Sequence, residues 1–216
     1  MIDAIVYAAP FLVQGFLVTL YVSLVVVVVS LALGLVLGIG LVYGPWPVRW
    51  AVRIMSDTIR GIPVLVLIFF VYYGLPALHI NLPALTAAII ALVLFKVAQV
   101  VENVRGAVRS IPRGQDEAAK AIGLTFVDRL RYVILPQAVR RFLPPWINGV
   151  TDAVKGSALI SLLGVTDLMH AINQVIGRTY EALPLYVFGA LIYFVVNYSL
   201  SLASRRLEAH FSYVRE

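Results

Sequence analysis

The sequence contains no cysteine, which rules out disulfide staples and thiolate metal sites. Charge is nearly as scarce. Asp, Glu, Lys and Arg make up 13% of the 216 residues, while apolar types reach 61%. A soluble domain carries about 25% charged and about 45–50% apolar residues. So few charges cannot cover a water-exposed surface, and most of this surface must face lipid or another apolar partner. The chain also lacks HExxH, GxSxG and GxxxxGK[ST], so it holds no zinc-protease, serine-hydrolase or P-loop ATPase signature. His79, His170 and His210 are scattered, and no metal site is expected. Met1-Ile2-Asp3-Ala4 lacks the basic stretch of a cleavable signal peptide.

What is abundant is long apolar sequence. No charge occurs between Asp3 and Arg49, and crossing ~30 Å of hydrocarbon takes roughly 20 helical residues. Span 1 is placed at residues 11–43. It carries small residues at four-residue steps, Gly15, Thr19, Ser23, then Ser30, Gly34, Gly38, a spacing that lets two helix backbones approach closely. Gly44-Pro45-Trp46-Pro47 ends it. A basic amphipathic segment follows with Arg49, Arg53 and Arg60. Span 2, residues 63–73, is too short alone, so its helix is expected to start near Trp50 and embed progressively. Gly74, Pro76, Asn81 and Pro83 mark a turn. Span 3 is placed at 84–104, span 4 from Pro144-Pro145 to Leu163, and span 5 at 184–203. Residues 164–183 are expected to hold a short surface helix. Trp46, Trp50, Tyr72 and Tyr73 suit interfacial aromatic belts. The reading is an all-α integral membrane protein with five transmembrane helices, a single domain over 1–216.

The formal charge of +6 would suit nucleic acid if it were clustered on one surface. Its distribution answers otherwise. With the N-terminus outside, segments 43–60 and 105–141 and the C-terminal tail face the cytoplasm. They hold Arg49, Arg53, Arg60, Arg105, Arg109, Arg113, Lys120, Arg129, Arg131, Arg140, Arg141, Arg205, Arg206 and Arg215. Only Arg178 falls outside, and Lys96 and Lys155 fall within spans. Cytoplasmic loops are enriched in Lys and Arg, so this orientation explains the charge without nucleic acid.

The loop over 105–141 is too patterned for a connector. Residues 115–122, Gln-Asp-Glu-Ala-Ala-Lys-Ala-Ile, favour helix, and Gly123 can close it in a left-handed cap. Phe126, Leu130, Val133 and Ile134 repeat at helical spacing, and Pro136 is expected to end that second run. Glu117-Ala118-Ala119, Gly123 four residues after Ala119, and Leu135-Pro136 resemble the EAA loop of ABC importer permeases. Val133 stands at the place usually held by Ile. Gly114-Gln115, residues 132–138, Pro144-Pro145, and Arg60-Gly61-Ile62-Pro63 are similar to the polar amino acid branch, which includes histidine, glutamine, arginine and glutamate permeases. The likeness covers nearly the whole chain.

That resemblance implies a type I ABC importer-like subunit in a bacterial inner (cytoplasmic) membrane. Its loop would hold a coupling helix that docks on a separate ATP-binding cassette ATPase subunit. Glu117, Ala118, Ala119, Gly123, Leu135 and Pro136 are the motif positions. It implies further partners: a second permease subunit, identical or not, and a periplasmic or lipid-anchored solute-binding protein. The chain itself would be non-catalytic and bind no cofactor, with ATP and Mg on the ATPase.

Ionisable residues inside spans are costly and point to function. Lys96, Gln99 and Asn103 fall in one arc of span 3 with Glu102 beside it, and Asn148, Asp152 and Lys155 share a face of span 4. Such stripes would line a path for a zwitterionic solute, the carboxylates taking its ammonium and a lysine its carboxylate. The other reading is structural, with Lys96 paired to Asp152. Gln99, Val101 and residues 155–159, Lys-Gly-Ser-Ala-Leu, depart from the branch's usual residues, which implies an unusual solute or a heterodimer whose partner binds it. The rival to an importer permease is an ion-coupled secondary transporter or channel subunit. It is disfavoured because no internal repeat is evident.

Overall fold

The computed structural model describes residues 2–211, with side chains over 8–206. The expectations for Arg215 and the His210 side chain lie outside these. Every regular element among the described residues is helical. Helix α1, Ile2–Tyr43, is followed by α2, Trp46–Gly61, and by α3, Val64–Phe69, which continues through a π turn and a 3-10 turn to Leu78. Next come α4, Ala84–Arg109, and α5, Arg113–Ala121. Helix α6, Phe126–Asp128, runs through a π turn, Arg129–Ile134, into α7, Leu135–Ser157. Helices α8, Leu168–Thr179, and α9, Ala182–Phe211, complete the chain.

Among the described residues, three helices are long and apolar enough to cross a membrane: Ala8–Tyr43, Ala84–Arg109 and Ala182–Arg206. Two bent pairs bring the number to five if each is one span. They are Trp46–Gly61 with Val64–Leu78, bent by 106°, and Phe126–Leu163 with Leu168–Thr179, bent by 50°.

The seam of α1 and α4 is the centre of the molecule. Along α1, Thr19, Ser23 and Ser30 are buried despite their hydroxyls, Thr19 against α8, where it accepts from the Leu168 N–H at 3.1 Å. Each hydroxyl donates to a carbonyl of its own helix, Thr19 to Gly15, Ser23 to Thr19 and Ser30 to Val27, so none of these three is left unpaired in an apolar setting. The glycines bring backbones together. A Cβ added to Gly34 would stand 2.5 Å from the Val100 Cβ, one on Gly38 2.7 Å from the Val104 Cβ, and one on Gly15 2.7 Å from the Asp167 carbonyl. The expected close packing of this stripe is what the structure shows.

Four local expectations need correction. Helix α2 does not run into span 2. Ile62 turns extended, at φ −98° and ψ 131°, because a residue before proline is pushed out of the helical region. Pro63 then opens α3, its carbonyl accepting from the Leu67 N–H at 3.1 Å. The helix next continues through Gly74 and Pro76, and His79 closes it in a left-handed conformation, φ 61°.

Pro136 does not end a helix, and Pro144-Pro145 do not begin one: Phe126–Leu163 is helical throughout. Prolines inside a helix free the carbonyls four residues back. Here those belong to Tyr132, Arg140 and Arg141, all at exposed positions, and a π turn lies immediately ahead of Pro136. Finally, α8 is only in part a surface helix: Asn173, Gln174 and Arg178 are exposed, but its other face is seated in the core. Leu168, Ala171 and Ile172 are wholly buried in a cluster with Leu12 of α1 and Leu185 of α9.

Candidate functional site

Two groups of residues concern function: a hairpin at one end and the polar positions of α4 and α7. The hairpin is built by its turn chemistry. Pro112 precedes α5, and Gly123 ends it at φ +84°. The Gly123 N–H donates to the Lys120 carbonyl at 2.9 Å, and the Leu124 N–H to the Ala119 carbonyl at 3.1 Å. This double closure is a Schellman cap, which needs a left-handed residue that glycine supplies without strain. Nothing lies within 4 Å of where a Gly123 Cβ would be, so the glycine answers to conformation and not to crowding.

Thr125 then caps α6. The Asp128 N–H donates to the Thr125 hydroxyl at 3.3 Å, and that hydroxyl donates to the Asp128 carboxylate at 2.6 Å. A clasp joins the two arms. Asp116 of α5 reaches Lys120 at 2.7 Å and Arg129 of the π turn at 3.1 Å. The Lys120 hydrogen bond, aided by Arg129, holds the Asp116 carboxyl below its usual range.

The motif alanines divide their labour. Ala119 is buried, turned toward the second arm, whereas Glu117, Ala118 and Gly123 are exposed. Ile122 at 77% and Val127 at 66% exposure stand free beside them. Leu135 and Pro136 are exposed as well. The hairpin therefore presents an apolar face of small and branched side chains beyond the helices that carry it.

In α4, Lys96, Gln99 and Asn103 meet at a crevice against Ser30 of α1 and Trp146 and Gly149 of α7. The crevice holds about 10 Å³, the room of one water. The buried Lys96 Nζ donates to Gln99 Oε1 at 2.8 Å. Glu102 is held elsewhere. It accepts from the Arg105 guanidinium, with Nε at 2.9 Å, and lies 3.7 Å from Arg60 of α2. Asn148, Asp152 and Lys155 are exposed on α7, and Asp152 pairs with Lys155 at 2.9 Å. The structure thus brings three of the seven polar candidates together, sets Glu102 in an ion-pair cluster between α2 and α4, and leaves three on an open face. Among the described residues no group of His, Asp and Glu is placed to hold a metal.

Two residues outside the sequence reading matter to the frame. Ser56, wholly buried, ties α2 to α4 through the Ala98 carbonyl at 3.2 Å. Asp167, also wholly buried, caps α8 by accepting from the His170 N–H at 2.9 Å. The signal for Asp167 was available, since an Asp ahead of an apolar run marks a helix start. Thr125-x-x-Asp128 was legible in the same way. Ser56 had no local signal.

Comparison with known proteins agrees with this architecture. Residues 30–213 match the family model described as binding-protein-dependent transport system inner membrane component. The chain is 39% identical over 202 residues to a probable glutamine ABC transporter permease protein GlnP of Bacillus subtilis (strain 168), covering 92% of each. It is 34% identical over 208 residues to the glutamine transport system permease protein GlnP of Escherichia coli (strain K12), covering 95% of each. The crystal structure of an amino acid ABC transporter with histidines contains a chain that superposes with a TM-score of 0.90 at 30% identity, over 95% of this chain and 96% of that one. The protein belongs to the family of inner membrane components of binding-protein-dependent transport systems.

Proposed function

We propose that this chain is the permease subunit of an ATP-binding cassette importer for a polar amino acid, placed in a bacterial inner membrane. The observation that carries the reading is the hairpin, a glycine-capped helix whose apolar face of Ala118, Ile122 and Val127 is exposed, in a chain of this family. Such a face, on a rigid element beyond the membrane helices, suits docking on an ATPase subunit that supplies ATP and Mg. Glu117, Ala118, Ala119 and Gly123 make up the docking element, and Leu135-Pro136 begin the helix that would carry its motion into the membrane. The apolar runs support a single domain of five spans, and the distribution of arginines supports an N-terminus outside and the hairpin in the cytoplasm.

The solute path is placed along Lys96, Gln99, Asn103, Asn148, Asp152 and Lys155. A charged pair exposed on a membrane helix calls for polar surroundings, and a second permease subunit facing α7 would supply them. The one-water crevice beside Lys96 is too small for an amino acid, so the path would widen between the two subunits. A solute-binding protein would deliver the amino acid.

The test is ATP hydrolysis by the reconstituted complex with and without liganded binding protein, run beside Gly123→Pro. Stimulation that the variant abolishes supports the reading. Failure of any ATPase subunit to associate overturns it. Charge swaps at Lys96 and Asp152 examine the path: if both single swaps lose assembly and transport and the double swap restores both, structural pairing replaces solute contact.

A further inference from the structure

Beside Leu41 and Val42, which close the long apolar run of α1, a cavity of about 350 Å³ lies between α1, α2 and α4. Its chemistry is one-sided. Arg49 and Arg53 reach it from α2, Arg105 and Arg109 from α4, and no carboxylate lines it. Arg105 is already committed to Glu102. Among the described residues no carboxylate pairs with Arg49, Arg53 or Arg109. Three guanidinium groups sharing one cavity repel each other, and an anion between them would relieve that repulsion.

Two further features say what kind of anion. Trp46 and Trp50 complete the lining, 65% and 56% exposed, with ring centroids 6.1 Å apart. Tryptophan settles at the headgroup level of a bilayer. The floor is apolar, formed by Leu41 and Val42 where the long apolar run of α1 ends. A soluble phosphate has no use for such a floor. An acyl chain does. The guanidinium fork also matches phosphate oxygens in pairs, and basic pockets between membrane helices are suited to lipid headgroups.

We infer that this cavity binds the phosphodiester headgroup of an anionic glycerophospholipid. Arg49, Arg53 and Arg109 hold the phosphate oxygens, the two indoles stand at the glycerol level, and an acyl chain starts over Leu41 and Val42.

The indoles are their own reporters. In a Trp146→Phe background, the full chain is reconstituted in phosphatidylcholine vesicles carrying phosphatidylglycerol brominated near the headgroup end of its chains. Brominated phosphatidylcholine at the same fraction is the comparison. Tryptophan quenching by the anionic lipid should saturate at a low fraction and exceed that by the neutral lipid. Arg49→Gln, Arg53→Gln and Arg109→Gln should each weaken the anionic preference roughly fivefold, and the lysine variants should keep most of it. Equal quenching by the two lipids overturns the proposal, and this arm needs no arginine variant to fold. Loss of the preference on adding inorganic phosphate also overturns it, by making the cavity a soluble-anion site. If the glutamine variants keep the lipid preference but lose a co-purifying protein subunit, the arginines serve a protein contact and the proposal fails.

Discussion

Along the seam of α1 and α4, Gly34 and Gly38 lie so near Val100 and Val104 that a single added carbon would collide; in the hairpin, Gly123 has open space around it. The same residue type does two different jobs. At the seam, glycine removes volume so that two backbones can meet, and van der Waals contact does the holding, as it must where lipid offers no hydrophobic drive between helices. In the hairpin, glycine supplies a backbone angle, and the side chains around it stay outside any core. The seam is therefore sensitive to size, and the hairpin to conformation. One region sets stability, while the other presents a face.

The largest effect that would break this contrast comes from the seam. Gly34→Leu should cost about 3 kcal/mol or more, the upper range for overpacking, read as lost thermal stability of the purified protein in detergent. Val100→Ala in the same chain should return a good part of it by removing the atoms that collide. If Gly34→Leu melts like the parent, the close approach is not what holds the seam.

Gly123→Val should behave in the opposite way. A branched residue held left-handed costs about 1–2 kcal/mol, and that strain is local to the cap. Global melting should barely move while solute-stimulated ATP hydrolysis falls severalfold. Gly123→Asn should keep most activity, because Asn tolerates the left-handed region. A Gly123→Val variant with full coupling would remove the hairpin from the mechanism.

An intermediate effect is expected where α2 meets α4. Glu102→Gln leaves the half-buried Arg105 and the nearby Arg60 without their shared carboxylate. Breaking a pair of this kind leaves a charge poorly compensated, and roughly 1–3 kcal/mol of stability should be lost. Gln99→Leu should cost a similar amount, since it takes the 2.8 Å hydrogen bond from the buried Lys96 ammonium. The two variants separate the ion-pair cluster from the crevice.

The small-residue stripe and the Gly123 cap were legible because each is encoded locally, by spacing or by one residue's backbone freedom. The membrane class followed from composition alone. Breaks and continuations were less legible. Pro63 broke α2 from α3, yet Pro136, Pro144 and Pro145 broke nothing, although all four carry the same local signal. What differs is the residue ahead of each: Ile62 before Pro63 turns extended, whereas the residues before Pro136, Pro144 and Pro145 stay helical, and nothing in the local sequence tells the two outcomes apart. Burial of α8 was hidden for a related reason. Leu168, Ala171 and Ile172 make an ordinary amphipathic stripe, and only the notch opened by Gly15 on α1 tells which surface receives it. Among the polar candidates, helical phase grouped Lys96, Gln99 and Asn103 correctly. It could not foresee that Arg60 and Arg105 would claim Glu102, since Arg60 arrives from another helix.

The smallest effect tests how the hairpin is held. The clasp from Asp116 to Lys120 and Arg129 lies in the open, where ion pairs contribute little and salt screens them. Its carboxyl sits below the usual range because Lys120 and Arg129 favour the charged form. A carboxylate depressed in the folded state contributes its stability above its unfolded pKa, about 3.9, and loses it as pH falls through the folded value. Near neutral pH the clasp should thus be fully formed and insensitive to pH. Hydrogen exchange of residues 113–134 should stay flat in protection from pH 7 to pH 5, after correction for intrinsic rates, and protection should weaken only in stronger acid. Asp116→Asn should show slightly weaker protection already at pH 7 and no acid step. If the parent and Asp116→Asn exchange alike at every pH, the clasp contributes nothing, and the Schellman cap and the Thr125 cap alone hold the hairpin in shape.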